Sequence, residues 1–151
     1  MTSLVRRFLR TAIFFLFVGI VLGVWMLIDR EIRGVGISPY MVSAHAHAVL
    51  VGFVMMMILG VALWMFPRPV KGDTSYRPAH AETAYWLVAS GTAVRIVGEL
   101  LRAHAGQPWL RWSIVAAGVA QGAGLLLFFR TMWARIRPVG SQAREAAGER
   151  F

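Results

Sequence analysis

Four apolar stretches, each about as long as a membrane is thick, constrain this chain more than any other feature of its sequence. The hydrocarbon core of a bilayer is about 30 Å thick, which an α-helix crosses in roughly 20 residues. The stretches lie at about 8–28, 42–66, 83–101 and 109–129, and glycines and prolines mark the short connections. This pattern predicts an all-α membrane protein, a single domain over 1–151 folded as an antiparallel bundle of four transmembrane helices. The segment 138–151 has no apolar period, and we expect a mobile tail or a short surface helix.

The net charge of +9 would suggest a nucleic-acid partner in a water-soluble protein, but 58% of these residues are hydrophobic. The basic residues instead indicate membrane orientation, because cytoplasmic connections are enriched in Arg and Lys. One side of the predicted bundle holds Arg6, Arg7, Arg10, Arg68, Lys71, Arg77, Arg130, Arg135, Arg137, Arg144 and Arg150. The other side holds Arg30, Arg33, Arg102 and Arg111. We therefore expect a multi-pass protein of the bacterial inner membrane, surrounded by lipid, with both termini cytoplasmic and no nucleic-acid partner.

Two histidines, His45 and His47, stand at the start of the second apolar stretch. On an α-helix, residues two apart are rotated by about 200°, so the two imidazoles face nearly opposite sides and serve two different sites. The chain has no cysteine, which leaves His, carboxylate or Met to hold a metal. A neutral imidazole inside a membrane suits heme iron, and the small residues Ala44, Ala48 and Gly52 leave room for a flat porphyrin. The alternative is that both histidines are solvated at the aqueous boundary or hydrogen-bonded to the backbone.

The same segment resembles one helix of the heme-copper oxidase superfamily. The resemblance runs over about 44–68: His45-x-His47-x-Val49-Leu50, then Gly52, then an apolar stretch that ends in Trp64-Met65-Phe66-Pro67. It fades in the third apolar stretch and does not extend to the first or the fourth. In that family this helix of the catalytic subunit carries axial ligands of both hemes. The resemblance implies that His45 ligates the high-spin heme and His47 the low-spin heme, both of the b type here.

The departures from the family are as informative as the match. A terminal oxidase of this family needs a copper centre held by three further histidines, two of them adjacent, whereas only His80 and His104 remain in this sequence. The positive-inside pattern places His80 at the opposite membrane surface from His45 and His47. We therefore do not expect reduction of dioxygen to water, and whether the chain is an enzyme stays open.

Four further residues are candidates for the cofactor site. His104 lies just past the end of the third stretch, on the same side as His45 and His47, and is either an opposing heme ligand or a solvated loop histidine. Charges within an apolar stretch are costly, which makes Arg95 and Glu99 site candidates; at i, i+4 they are also expected to pair with each other. In the functional interpretation, Arg95 or Arg102 neutralises a heme propionate, and Glu99 orients it or handles protons.

A single four-helix unit can enclose only one of two histidines that face opposite ways. We therefore expect a homo-oligomer: a trimer that rebuilds the twelve-helix ring implied by the family resemblance, or a dimer with heme at its interface. The predicted function is electron transfer, with a possible respiratory redox partner, or the binding of a small gas such as nitric oxide or oxygen. The alternatives are a non-catalytic accessory or assembly subunit of a respiratory complex, and a membrane protein that binds copper or zinc through His-x-His.

Overall fold

The computed structural model describes residues 2–67, 77–104 and 106–136, together with Gly140, Arg144, Ala147 and Gly148. The elements are α1 (Ser3–Glu31), α2 (Pro39–Ala46), a π-helical segment (His47–Met55), α3 (Met56–Met65), α4 (Pro78–His104), α5 (Trp109–Met132) and a 3₁₀ turn (Trp133–Arg135). The second, third and fourth of these form one continuous helix, Pro39–Met65, which we call the histidine helix. The all-helical prediction is confirmed for the described residues.

Three helices are long and apolar enough to cross a membrane: Ser3–Glu31, Pro39–Met65 and Trp109–Met132. α4 contains the predicted stretch 83–101 and is 27 residues long, but Arg95 and Glu99 interrupt its apolar run and it falls outside this set. The fourth membrane span therefore stays a prediction. Several residues on which the orientation depends, Arg68, Lys71, Arg137 and Arg150, lie outside the described residues, as does most of the predicted tail 138–151.

The first two long helices begin at side chains that cap them. Thr2 Oγ1 accepts a hydrogen bond from the Val5 N–H at 3.4 Å, and Ser38 Oγ accepts one from the Tyr40 N–H at 3.3 Å. Pro39 follows as the first helical residue, where its missing N–H costs nothing. Between the two helices the chain turns at Gly34, whose φ of 64° favours glycine. These signals place the start of the histidine helix close to the end of α1, and so fix where His45 and His47 fall.

Two buried clusters hold the helices together, and they differ in composition. One joins α1, α3, α4 and α5: Phe8, Ala12, Met56, Leu59, Ala84, Tyr85, Val88, Ala89, Phe128 and Met132. The other joins α1, the first half of the histidine helix and α4: Phe15, Leu22, Ala44, Ala48 and Ile96. α5 supplies no residue to this second cluster as described, and it packs mainly against α4. The end of the molecule that carries the histidines is therefore built around three helices, with α5 outside α4.

Glycines let α1 approach the histidine helix closely. A Cβ atom added at Gly19 would lie 2.6 Å from Val49 Cγ2, and one added at Gly52 would lie 2.6 Å from Phe15 Cβ. A Cβ at Gly60 would lie 2.9 Å from Phe8 Cβ. Small residues at such crossings are typical of helix pairs in membranes, where close van der Waals contact supplies much of the attraction.

Arg135 ties the 3₁₀ turn to the end of the histidine helix. The side chain is 5% exposed, and its guanidinium donates to the carbonyls of Pro67 at 2.9 Å, Phe66 at 2.8 Å and Leu63 at 3.2 Å. The last carbonyls of a helix have no partner within it. Arg135 therefore satisfies the carboxy-terminal end of α3 from a distant part of the chain.

We expect Arg135→Gln to destabilise the protein by about 3 kcal/mol, because hydrogen bonds from a charged donor contribute roughly 1.5–3 kcal/mol each and glutamine replaces at most one of these three. The measurement is thermal unfolding in detergent, followed by circular dichroism. Arg130→Gln is the matched control, since Arg130 is exposed on α5. Equal melting temperatures for the two variants would contradict the role of Arg135.

Candidate cofactor site

His45 and His47 lie where α2 passes into the π-helical segment, and they contact different helices. His45 Nδ1 is 2.9 Å from the carbonyl oxygen of Gly19 on α1. His47 Nδ1 is 3.8 Å from a carboxylate oxygen of Glu99 on α4. The two imidazoles therefore contact different helices, α1 for His45 and α4 for His47.

Hydrogen bonding assigns the same tautomer to both imidazoles. A carbonyl oxygen only accepts, so the proton between His45 and Gly19 is on Nδ1 of His45. His47 Nδ1 likewise donates to the carbonyl of Ser43, at 2.8 Å. In the neutral form, a ring with its proton on Nδ1 keeps a lone pair on Nε2, and neither Nε2 has a hydrogen-bond partner among the described residues. This is a form in which histidine ligates a metal, and the same bonds to the backbone are those of the alternative interpretation, so they do not decide between the two.

An open cleft of about 580 Å³ lies beside His45. Its volume is in the range of about 300–1,000 Å³ that is usual for small-molecule sites. The α1 side of the cleft is formed by Gly23, Met26, Leu27 and Arg30. Gly23 leaves space for the imidazole, because a Cβ there would be 3.0 Å from His45 Cε1. The cleft is therefore mostly apolar, with an imidazole and a guanidinium on its lining.

Arg30 lines this cleft, although the sequence analysis did not select it as a candidate. It pairs with Glu31 at 2.7 Å and lies near the end of α1. A signal was present, because Gly23, Met26, Leu27 and Arg30 follow the i, i+3, i+4, i+7 spacing of one helix face. That face could be recognised as a cleft wall only once the position of His45 against α1 was known.

On the other side of the histidine helix, Glu99 is buried in a polar cluster. Its side chain is 3% exposed, and Oε1 accepts hydrogen bonds from Ser43 Oγ at 2.7 Å and from Arg95 Nε at 3.0 Å. Oε2, buried and 3.8 Å from His47 Nδ1, has no hydrogen-bond partner in the described part of the chain. We call Ser43, His47, Arg95 and Glu99 the Glu99 cluster. The predicted pairing of Arg95 with Glu99 is confirmed, whereas the contribution of Ser43 was not foreseen.

Arg95 is a member of this cluster, and Arg102 is three residues beyond Glu99 on α4. Arg95 reaches towards α5, where Gly118 makes room for it: a Cβ there would be 2.9 Å from Arg95 Nη1. The guanidinium of Arg102 lies over the ring of Tyr40, 5.2 Å from its centroid. Arg102 Nη1 is buried and has no hydrogen-bond partner within the described ranges. Buried donors are rarely left without an acceptor, so this atom fits a carboxylate supplied by a bound molecule.

His104 is the last residue of α4 and is exposed, with Nδ1 bonded to the Leu100 carbonyl at 2.9 Å. It lines a second cleft of about 390 Å³, together with Asp29, Arg33 and Ser38. The two clefts share the wall formed by residues 35–37, but His45 lines only the first and His104 only the second. The structure therefore brings His104 to the same end of the molecule as His45 without placing both in one cleft.

Among the residues described, no three His, Cys, Asp or Glu side chains come together as a metal-binding group. No protein-family model matches the chain, and no curated protein or solved structure gives a significant match. The resemblance to the heme-copper oxidases therefore rests on the residues of about 44–68 alone and stays a prediction.

Proposed function

We propose that this chain is an integral-membrane b-type heme protein in which His45 and His47 are axial ligands at two sites, one on each side of the histidine helix. Its function is electron transfer or the binding of a small gas such as nitric oxide or oxygen. The observation that carries the proposal is the matching hydrogen bonding of the two imidazoles. Both donate Nδ1–H to a backbone carbonyl and keep Nε2 available, and the two rings contact different helices.

The surrounding residues fit such a group. An Nδ1–H···O=C bond orients most metal-ligating histidines and raises their basicity. The apolar lining of the cleft beside His45 suits a porphyrin, and Arg30 on that lining suits a propionate. Beside Tyr40, at the start of the histidine helix, the buried Nη1 of Arg102 offers a donor for another carboxylate. When bound, heme would supply an iron that changes between ferric and ferrous states and that binds diatomic gases wherever one axial position is open.

The proposal includes four membrane spans, with α4 as the third of them and both termini cytoplasmic. Arg95 and Glu99 bond to each other within α4, which lowers the cost of placing either charge at membrane depth. With this orientation the histidines lie towards the non-cytoplasmic side of the bacterial inner membrane. A soluble or membrane-bound respiratory partner could then exchange electrons at that side.

We also propose a homo-oligomer, a trimer or alternatively a dimer. α5 packs mainly on α4 and leaves much of its own apolar surface uncovered, including Trp112, Val119 and Leu126, which are 72%, 66% and 74% exposed. Lipid can cover this surface, and so can a second copy of the chain. Contact with a second copy would complete the enclosure of whichever heme a single chain leaves partly open.

The test is the optical spectrum of the purified full-length protein, oxidised and dithionite-reduced, after expression with ample heme supply. We expect a Soret band and, on reduction, the sharpened visible bands of a b-type heme. If an axial position of the iron is open, added carbon monoxide shifts the reduced spectrum, which would favour gas binding. If both axial positions are occupied by protein ligands, the spectrum does not shift, which would favour electron transfer.

Protein that folds and inserts but contains no heme would overturn the proposal. The same preparation then separates the two other interpretations through its metal content. Bound copper or zinc without a Soret band would favour a metal site at His-x-His, and the absence of both would favour an accessory or assembly subunit.

A further inference from the structure

We infer that Glu99 is a positioning residue for His47 and lowers the reduction potential of the heme held there. The inference rests on the proposed function, because it concerns the ligand of a bound heme. Glu99 acts on the heme through the imidazole of His47, whereas the sequence analysis considered a direct contact between Glu99 and a heme propionate.

The geometry connects Glu99 to His47 in two ways. Oε2 of Glu99 lies 3.8 Å from Nδ1 of His47, which is the ring nitrogen that does not ligate the heme. Oε1 accepts a hydrogen bond from the Ser43 hydroxyl at 2.7 Å, and the carbonyl of this same Ser43 accepts the Nδ1–H of His47 at 2.8 Å. The carboxylate thus accepts a hydrogen bond from the residue that binds the ring, and its second oxygen lies within ion-pair distance of the ring itself.

Burial makes the carboxylate effective. The Glu99 side chain is 3% exposed, and charges interact more strongly in a medium of low dielectric constant than in water. The ferric state carries one more positive charge than the ferrous state, so a nearby carboxylate stabilises the ferric heme. Arg95 offsets part of this effect, but it bonds to Oε1, while Oε2 is the oxygen closer to His47. The net effect is a lower potential at the His47 site.

His45 provides the contrast within the same molecule. Its Nδ1 bonds to the uncharged carbonyl of Gly19, and over the described ranges it has no carboxylate contact like that of His47. The inference therefore predicts an effect on one heme and not on the other. A general loosening of the fold would affect both.

The experiment is a redox titration of the full-length protein followed optically, with Glu99→Gln compared with wild type. The spectral component that persists in His45→Ala is assigned to the His47 site. We expect Glu99→Gln to raise the midpoint potential of that component by about 59 mV. For a one-electron couple this corresponds to a tenfold higher ferrous-to-ferric ratio at a given applied potential. The other component should not move. Glu82→Gln is the matched control, since Glu82 is also on α4 but is exposed and paired with Arg7 at 2.6 Å.

Glu99→Gln leaves Arg95 without its partner, and this could prevent folding. The double variant Arg95→Gln/Glu99→Gln removes both charges. We expect its midpoint potential to be higher than that of the wild type but lower than that of Glu99→Gln. Heme bound with unchanged potential in the variants that fold would overturn the role of Glu99 and leave the heme proposal standing. Absence of heme from the wild type would overturn both.

Discussion

Alanine at His45 is expected to remove one heme and alanine at His47 the other, each variant keeping about half of the wild-type Soret absorbance per chain, because a b-type heme is held by its axial ligands without a covalent link. The two imidazoles contact different helices, α1 for His45 and α4 for His47, so neither can take over the other's site. The double variant should have no Soret band. The measurement is heme content per chain from the reduced pyridine hemochrome spectrum.

His80→Ala is the control for this pair. His80 is exposed near the amino-terminal end of α4, and its removal should leave the heme content unchanged. His104→Ala separates two forms of the site: if His104 is an opposing ligand, its removal opens an axial position and adds carbon monoxide binding. Wild-type heme content in both His45→Ala and His47→Ala would contradict the assignment of the ligands.

Gly52→Leu is expected to prevent the folded protein from forming in useful yield. A Cβ at this position would lie 2.6 Å from both Cβ and Cγ of Phe15, which is 4% exposed and belongs to the second buried cluster. Overpacking of a buried contact commonly costs about 1–3 kcal/mol and occasionally more. A whole leucine side chain at the crossing of α1 and the histidine helix should exceed that range. Yield, size-exclusion profile in detergent and thermal unfolding report the loss.

The matched control is Gly122→Leu on α5, where a Cβ would meet nothing within 4 Å. This variant should be produced and should elute as the wild type does. Phe15→Ala in the Gly52→Leu background should recover part of the yield, because it removes the ring that the new side chain meets. If Gly52→Leu and Gly122→Leu behave alike, the close approach of α1 to the histidine helix is not a determinant of the fold.

The apolar stretches were sufficient to predict the existence and order of the long helices. They were not sufficient for the ends, because a helix continues for one or two turns beyond its apolar part wherever capping and propensity allow it. α1 begins at Ser3 after the Thr2 cap, ahead of the predicted residue 8, and α4 begins at Pro78, ahead of the predicted residue 83. Polar helical turns of this kind have no hydropathy signal.

The π-helical segment was not predicted, and the burial pattern in the structure gives a reason for it. Ala44, Ala48, Gly52 and Met56 are all buried and are spaced by four. In a regular α-helix, four residues overshoot a full turn by about 40°, so this stripe would move away from its partners. The i→i+5 winding of a π-helix is looser and keeps the four residues on one side.

The site was predicted in part. The pairing of Arg95 with Glu99 follows from helical spacing alone, and the opposite directions of His45 and His47 follow from the same geometry. Ser43 and Arg30 could not be predicted in that way, because their roles depend on which helix packs against each side of the histidine helix. Such contacts between helices distant in sequence carry no local periodicity.

The looser winding of the segment His47–Met55 also bears on how this helix tolerates a change in length. Loss of one residue from an α-helix rotates everything beyond it by about 100°, which in α3 would swing Leu59 away from its contacts with α1 and α4. A deletion within the π-helical segment can instead be absorbed by rewinding part of it as α-helix. We therefore expect the helix to lose a residue between His47 and Met56 and still present Leu59 to the same neighbours.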